Sequence, residues 1–184
     1  MPMRIIGGFH RSRKLVYPED NPSIRPTKDR IREALFSILG DVSNKTFLDL
    51  YAGSGSIGLE AISRGASKVY FVDQNIESIK YVKTNIESLK EEDKCEVYKS
   101  LDLDALEQFK NRNIKFDIIY FDPPYLSDRY EKVIPYIFNE ELLEEFGVMA
   151  IEVNHELDLS DIPNVKIKEY HYGEILLYII RKNN

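Results

Sequence analysis

The chain has 184 residues, of which 43% are hydrophobic, and its formal net charge is −6. This length and apolar content suffice for one domain with a well-formed core. The single cysteine, Cys95, excludes an internal disulfide and a paired-cysteine zinc motif, so we expect a reducing, cytoplasmic setting. Neither a secretory leader nor an apolar run near 18 residues is visible, and no membrane association is expected.

The charge is unevenly distributed along the chain. Residues 1–32 carry eight basic and three acidic side chains, a net charge of +5, whereas the remainder carries −11. A basic arm on an acidic body favours binding of the arm to a phosphate backbone. A solvent-exposed run of charges explains the same composition about equally well.

The first 45 residues predict an extension to a larger body. Residues 3–16 contain an isoleucine pair, two glycines and a basic segment, which is typical of a β-hairpin with a flexible turn. Residues 18–26 are turn-rich and predict a loop. Thr27 is placed to cap a helix with apolar residues at helical spacing, and Gly40 is expected to end it. Residues 46–184 then form the core of the same domain.

From residue 46 onward, strand-like and helix-like segments alternate. Strands are predicted near 46–51, 67–73, 94–99, 115–121 and 146–153, and helices near 56–64, 76–90, 103–110 and 129–138. This alternation predicts an α/β fold with a doubly wound, mostly parallel sheet. Residues 165–172 and 174–181, separated by Gly173, predict an antiparallel pair at its edge, which brings the sheet to seven strands.

A glycine-rich segment, D-L-Y-A-G-S-G-S-I-G, follows the first strand of the core. The order strand, glycine turn and helix suits a nucleoside ligand, although a structural tight turn is the alternative. Asp73 ends the next strand, where a carboxylate can accept hydrogen bonds from ribose hydroxyls; it could instead cap the helix that follows. Asp49 does not belong to the usual NAD pattern and suits a ligand with a cationic amino group.

S-adenosylmethionine has such an amino group and a ribose, so it fits both carboxylates better than a pyrophosphate does. Ser100 to Asp102 end the third strand and could border the adenine, or Asp102 or Asp104 could cap the next helix. The candidate cofactor-binding residues are Asp49, Tyr51, Ala52, Gly53, Ser54, Gly55, Gly58, Asp73, Gln74, Ser100, Leu101 and Asp102.

The most specific signal is D-P-P-Y, formed by Asp122, Pro123, Pro124 and Tyr125 at the end of an apolar strand. Two prolines stop the ladder and leave a carboxylate at the strand end. An exocyclic amine of a nucleobase is a poor nucleophile, because its lone pair is delocalised into the ring. Hydrogen bonds from that amine to the Asp122 carboxylate and the Pro123 carbonyl would direct the lone pair at a methyl group. Tyr125 offers a face for stacking a splayed-out base.

With these motifs the chain resembles class I methyltransferases and, more narrowly, the bacterial 16S rRNA (guanine(966)-N(2))-methyltransferase family. The resemblance rests on R-I-I-G-G at 4–8, the basic 11–15, R-P-T at 25–27, D-R-I-R-E at 29–33, and residues 48–61, 63–66 and 122–125. It implies S-adenosylmethionine as methyl donor, with S-adenosylhomocysteine as product. It also implies a guanine of 16S rRNA, free or in an assembling small subunit, as acceptor. The RNA-facing residues implied are Arg4, Arg11, Arg13, Lys14, Arg25, Thr27, Lys28 and Arg30.

Other functions share some of these features. A DNA adenine-N6 or cytosine-N4 methyltransferase also uses D-P-P-Y, but residues 1–45 are short for a domain that reads DNA sequence. The motif of protein glutamine methyltransferases usually begins with Asn where this chain has Asp122. The glycine motif and Asp73 alone would also suit an NAD-linked oxidoreductase, and the basic arm a non-catalytic RNA-binding module. The dispersed histidines give no metal pattern, and we expect a monomer.

Overall fold

The computed structural model describes residues 3–20 and 27–183. The strands are β1 (Thr46–Leu50), β2 (Lys68–Asp73), β3 (Cys95–Lys99), β4 (Phe116–Phe121), β5 (Leu143–Val153), β6 (Val165–Tyr172) and β7 (Ile175–Lys182). The helices are α1 (Asp29–Leu39), α2 (Ser56–Ser63), α3 (Ile76–Leu89), α4 (Asp102–Asn111) and α5 (Arg129–Asn139), with a 3-10 turn at Glu92–Lys94. In this part of the chain no helix combines the length and apolar character needed to cross a bilayer.

The strands of the described residues form one sheet in the order β3-β2-β1-β4-β5-β7-β6. Strands β1 to β5 are parallel, and β7 is antiparallel to both of its neighbours, β5 and β6. The predicted doubly wound sheet with an antiparallel edge hairpin is therefore confirmed. The chain builds outward from β1 to β3 and then returns to the other side of β1. The order reverses between β1 and β4, the place where such sheets bind ligands.

Both faces of the sheet are covered, which explains why its central strands are apolar along their whole length. Successive side chains of a strand point to opposite faces. Phe47 accordingly packs in the cluster that contains α1, α2 and α3, and its neighbour Leu48 packs in the cluster that contains α4 and α5. The two layers hold β1 and β4 rigidly, so their carboxyl ends are fixed in position.

Strand β5 begins earlier than the sequence predicts. Its pairing with β4 jumps from Phe116–Leu143 to Ile118–Val148, so extra residues bulge from the ladder between these pairs. Phe146 within this bulge has a φ of 63° and is 67% exposed. The bulge breaks the two-residue alternation, and the pattern therefore indicated only the regular part of the strand.

The N-terminal segment is less regular than the predicted hairpin. Among its described residues, strand pairing is limited to a single antiparallel bridge between Arg4 and Lys14, supported by hydrogen bonds such as Leu15 N–H to the Met3 carbonyl at 2.9 Å. The prediction of a cap at Thr27 is wrong, because Lys28 occupies the cap position of α1 without a side-chain hydrogen bond. The Thr27 side chain hydrogen-bonds Tyr120 instead. Gly40 ends α1 as predicted, with a φ of 73°.

Candidate active site

The turn between β1 and α2 is tied to the neighbouring strand through its backbone. The N–H groups of Tyr51 and Ala52 both donate to the Val72 carbonyl at 3.0 Å. Positive φ angles follow at Tyr51 (69°), Gly53 (57°) and Gly55 (83°). Glycine adopts this conformation without steric cost, which explains the glycine at two of the three positions. The turn is thus a rigid loop with its backbone turned toward the carboxyl end of the sheet.

Gly58 and Asp49 lie beneath this loop rather than on its surface. A Cβ at Gly58 would lie 2.3 Å from the Phe71 ring, so the missing side chain allows α2 to pack on β2. The Gly58 N–H donates to Asp49 Oδ2 at 2.9 Å. Asp49 is buried, and its Oδ1 has no hydrogen-bond partner among the described residues. Burial, reinforced by the nearby charge of Asp73, raises the pKa of Asp49 to about 8.

Asp73 connects the glycine loop to the next strand. Its Oδ2 accepts the Gly53 N–H and its Oδ1 accepts the Asn75 N–H, both at 2.9 Å. The alternative of a cap at Asp73 is wrong, because Asn75 caps α3 and accepts the Glu77 N–H at 2.8 Å. Burial raises the pKa of Asp73, and the backbone N–H donors oppose that rise. Asp73 therefore shapes the loop and still borders the cleft beside it.

A shallow cleft opens beside these residues. Its lining residues are Leu50, Tyr51, Val72, Asp73, Gln74, Ser100, Leu101 and Asp102. Leu101, which is 55% exposed, provides apolar surface for a flat ring. The structure thereby brings together six of the predicted cofactor residues, while Asp49, Ala52, Gly53, Ser54, Gly55 and Gly58 lie outside this lining.

Asp102 joins three elements at the edge of the cleft. Its Oδ2 accepts hydrogen bonds from the Tyr51 hydroxyl at 2.6 Å and from Arg129 Nε at 3.0 Å. Capping of α4 by Asp102 or Asp104 is wrong: the cap position is Leu101, and Asp102 is the first helical residue. The ion pair with Arg129 connects the cleft to α5, the helix that follows D-P-P-Y.

The D-P-P-Y segment begins where β4 leaves the sheet. The Asp122 N–H donates to the Leu50 carbonyl at 3.4 Å, the last contact between β4 and the end of β1. Asp122 is partly exposed, and the Pro123 carbonyl accepts the Tyr130 hydroxyl at 3.3 Å. A carbonyl has a second lone pair, so both predicted acceptors are available to an amine at this position. Tyr125 is also partly exposed.

A second carboxylate lies beside Asp122, on β5. Phe121 pairs with Ile151, so Asp122 and Glu152 are the next neighbours across the two strands. Glu152 accepts hydrogen bonds from the Tyr120 hydroxyl and, at 3.3 Å, from the Tyr125 hydroxyl. Partial burial raises the pKa of Asp122 well above its ordinary value, and the negative charges of Glu152 and Asp49 add to this rise. A ligand that brings hydrogen-bond donors or positive charge to this end of the sheet would favour the ionised form of Asp122, which accepts hydrogen bonds.

The N-terminal segment is anchored to α2 by the carboxylate of Glu60, which is fully buried. Glu60 accepts the N–H groups of Ile6 and Gly7, each at 2.9 Å, and Arg64 Nε at 2.9 Å. The buried guanidinium of Arg32 lies 3.7 Å away. Because the amides at 6 and 7 donate to a side chain, they do not extend a β-ladder, which explains the shortened hairpin.

The same segment also contacts the glycine loop. Asn85 on α3 accepts the Val16 N–H at 2.8 Å and donates to the carbonyls of Val16 and Ser54 at 2.9 and 3.1 Å. At Gly8, which has a φ of 77°, an added Cβ would lie 1.9 Å from the Ser63 carbonyl oxygen. The basic arm is thus built onto α2 and α3, the helices that follow the glycine loop and β2.

Most of the predicted RNA-facing side chains are exposed. The exposed ones are Arg4, Arg11, Arg13, Lys14, Lys28 and Arg30, whereas Thr27 is partly buried and Arg25 lies outside the described residues. Two of them have protein contacts: Arg13 donates to the Ser88 carbonyl at 2.7 Å, and Arg30 lies 6.0 Å from the centre of the Tyr172 ring. Their role in RNA binding stays a prediction.

Comparison with known proteins identifies the family. A model described as "Conserved hypothetical protein 95" matches residues 3–181. The chain belongs to this family. It is 34% identical over 160 residues to the putative rRNA methyltransferase YlbH of Bacillus subtilis, with 86% of each chain covered. It is 31% identical over 183 residues to ribosomal RNA small subunit methyltransferase D of Haemophilus influenzae, which covers 98% of this chain and 94% of the relative.

A solved structure supports the same assignment. The putative methyltransferase yhhF from Escherichia coli superposes with a TM-score of 0.87 at 28% identity and covers 100% of this chain and 99% of its own. The resemblance found in the sequence and the class I methyltransferase fold are therefore confirmed for this member of the Conserved hypothetical protein 95 family. The predicted cofactor, S-adenosylmethionine, is confirmed with them as the methyl donor of this class.

Sequence reasoning did not identify Glu152, Arg129 or Tyr130 as part of the site. Glu152 had a readable signal, because it is the charged residue near the end of an apolar strand, as Asp49 and Asp122 are. Arg129 and Tyr130 had none, since their pattern is that of an amphipathic helix. Among the described residues, no group of three or more metal-ligating side chains is placed to hold a metal ion.

Proposed function

We propose that the protein transfers a methyl group from S-adenosylmethionine to the exocyclic N2 amine of a guanine in small-subunit rRNA. The observation that carries this proposal is the Asp122 carboxylate with the Pro123 carbonyl, placed at the strand end next to the glycine loop. Two acceptors at this position match the two N–H bonds of one amine. The names of the relatives supply the substrate class.

The cleft residues, together with the buried Asp49 beneath the glycine loop, fit the cofactor. The unpartnered, buried Oδ1 of Asp49 is costly to leave alone, and a cationic amino group would satisfy it. Asp73 borders the cleft for ribose hydroxyls, and Leu101 offers the apolar wall for adenine. The cofactor supplies an electrophilic methyl group on a positively charged sulfur.

The protein's own contribution is positioning and electrostatics. Asp122 and the Pro123 carbonyl hold the amine so that its lone pair faces the methyl group, and Tyr125 stacks on the base. With the cofactor bound, the amine would take the methyl group as the sulfur leaves with the bonding electron pair, and positive charge would develop on the nitrogen. The carboxylate stabilises that charge until the proton leaves to solvent.

The names of the relatives, which are rRNA methyltransferases, support the RNA over the DNA alternative. The basic segment anchored on α2 adds positive charge for contacts with a phosphate backbone. We propose further that the substrate is the 16S rRNA or the assembling small subunit, that the enzyme acts in the cytoplasm as a monomer without a metal, and that residues 1–184 form one domain.

The direct test is radiolabelled methyl transfer to small-subunit RNA and to small-subunit particles, followed by nucleoside analysis. We expect N2-methylguanosine as the labelled nucleoside. Label in N6-methyladenosine or N4-methylcytidine would contradict guanine specificity, and transfer to DNA but not RNA would favour the alternative enzyme. Binding of NAD in place of S-adenosylmethionine would contradict the cofactor assignment.

A further inference from the structure

Glu152 has the properties of a side chain that recognises a ligand by hydrogen bonding. It is a carboxylate that is only 4% exposed, at the end of a strand that is otherwise apolar there. Two tyrosine hydroxyls, of Tyr120 and Tyr125, donate to it, and the second bond is long at 3.3 Å. A carboxylate offers about four acceptor positions, so capacity remains after both bonds. Its backbone carbonyl accepts the Tyr130 hydroxyl that also binds the Pro123 carbonyl.

The strand register places this carboxylate beside the amine-binding acceptors. Phe121 of β4 pairs with Ile151 of β5, so the residues that follow them, Asp122 and Glu152, also lie side by side. Paired residues of adjacent parallel strands point to the same face of the sheet, so these two carboxyl groups share a face. Tyr125, the proposed stacking ring, contacts Glu152 through its hydroxyl. A base lying on that ring with its amine at Asp122 therefore presents the adjoining edge atom to Glu152.

We propose that Glu152 accepts a hydrogen bond from the N1–H of the target guanine and thereby selects guanine over other bases with an exocyclic amine. This inference rests on the proposed function. In guanine the C2 amine adjoins N1–H on one side and N3 on the other. The N3 side carries the ribose and must face the RNA strand outside, so the N1 side faces the buried carboxylate.

The same contact explains why other bases would be rejected. Beside its amine, adenine presents N1 and cytosine presents N3, and both atoms are acceptors rather than donors. An acceptor placed against a carboxylate leaves two lone pairs facing each other and no proton between them. Because the wrong base cannot form this hydrogen bond in a buried site, the contact should favour guanine over that base by roughly 10- to 100-fold. The acceptor cluster of Asp122, Pro123 and Glu152 thus matches the three donors of guanine.

The test uses 2-aminopurine, a base that keeps the C2 amine but has an unprotonated N1. Small-subunit RNA is assembled with either guanosine or 2-aminopurine at the mapped methylation position, and kcat/KM for methyl transfer is measured for the wild type and for Glu152→Gln. We expect the wild type to prefer guanosine by roughly 10- to 100-fold. In Glu152→Gln the amide can donate to the unprotonated N1, so the preference should shrink by at least about tenfold.

Tyr120→Phe is the matched control, because it removes a hydroxyl bonded to Glu152 and leaves the carboxylate in place. We expect it to retain the guanosine preference even where its rate falls. An unchanged preference in Glu152→Gln, or an equal loss of preference in Tyr120→Phe, would overturn the assignment of Glu152 and leave the proposed function standing. No methyl transfer by the wild type to guanosine-containing RNA or particles would overturn both.

Discussion

The two strand ends that form the site differ in how their polar groups are satisfied. At the end of β1, backbone N–H groups of the glycine loop and of α2 donate to carboxylates of the chain itself: Gly53 to Asp73 and Gly58 to Asp49. At the end of β4, prolines remove backbone donors and acceptors accumulate. There, Asp122 and the Pro123 carbonyl lie beside the carboxylate of Glu152, and tyrosine hydroxyls are the donors near them.

The difference matches the tasks of the two ends. A loop that satisfies most of its own groups is preorganised for a ligand that returns after every turnover. A cluster with acceptor capacity to spare is complementary to a donor-rich ligand, and the edge of guanine carries three donors. Changes at the second end should therefore affect the rate of methyl transfer, and changes at the first end should affect the affinity for the cofactor.

The largest effect is expected at Asp122. Asp122→Ala removes the acceptor that orients the amine, so single-turnover methyl transfer should fall by roughly a hundredfold or more. Cofactor affinity, measured by calorimetry, should stay close to wild type. Asp122→Asn should be milder, since its amide oxygen still accepts one hydrogen bond while the negative charge is lost.

A folded Asp122→Ala variant that transfers methyl groups at the wild-type rate would contradict this assignment and make D-P-P-Y a structural turn. A variant that loses cofactor binding would contradict the assignment of cofactor affinity to the end of β1 and of transfer rate to the end of β4.

The sequence predicted the first strand end better than the second for a physical reason. Gly53, Gly55 and Gly58 form a contiguous motif because one turn needs backbone freedom and one helix needs close packing. The second end is assembled from β4, α5 and β5, so Glu152 is 30 positions beyond Asp122 and belongs to no local pattern. Alternation revealed the sheet, but the bulge in β5 and the anchoring of residues 6 and 7 by Glu60 depend on tertiary contacts.

The second largest effect is expected at Asp73, the last residue of β2, which holds the glycine loop at the end of β1. Asp73→Ala removes an acceptor at the cleft and also frees the Gly53 N–H that it holds. The affinity for S-adenosylmethionine should weaken by roughly 1.5 to 3 kcal/mol, the range for hydrogen bonds to a charged group. The transfer rate at saturating cofactor should change much less. Calorimetry that finds unchanged affinity in a folded variant would remove Asp73 from the site.

A smaller effect should appear in the pH dependence of cofactor binding through Asp49. Its pKa is raised to about 8 by burial, so the free protein holds the carboxyl protonated at lower pH. A cationic amino group favours the ionised carboxylate, so binding must release a proton. Affinity should therefore increase as pH rises, by about tenfold from pH 6 to 7, and level off near the raised pKa.

Calorimetry at pH 7 in buffers of different ionisation enthalpy measures that proton release directly. Asp49→Asn is the matched control, because it keeps an oxygen for the Gly58 N–H and cannot titrate. The proton release due to the carboxyl should be absent in the variant, which leaves the titration of the ligand's own amino group. Equal proton release in the two proteins would show that Asp49 does not meet the amino group.

The smallest effect is expected from the exposed basic side chains of the arm. Neutralising Arg11, Arg13 and Lys14 together by substitution with Gln should lower RNA affinity and flatten its dependence on salt. The slope of log affinity against log salt should change by about 0.7 for each phosphate contact to single-stranded RNA.

The matched control neutralises Lys115, Lys166 and Lys168, which are also exposed but lie outside the basic segment of residues 1–32. Because both triple variants lose the same net charge, a slope change confined to the arm variant would assign the phosphate contacts to the arm. Equal changes in the salt slope would mean that overall charge alone governs RNA binding. We expect both variants to keep the wild-type affinity for the cofactor, which would show that the arm does not take part in cofactor binding.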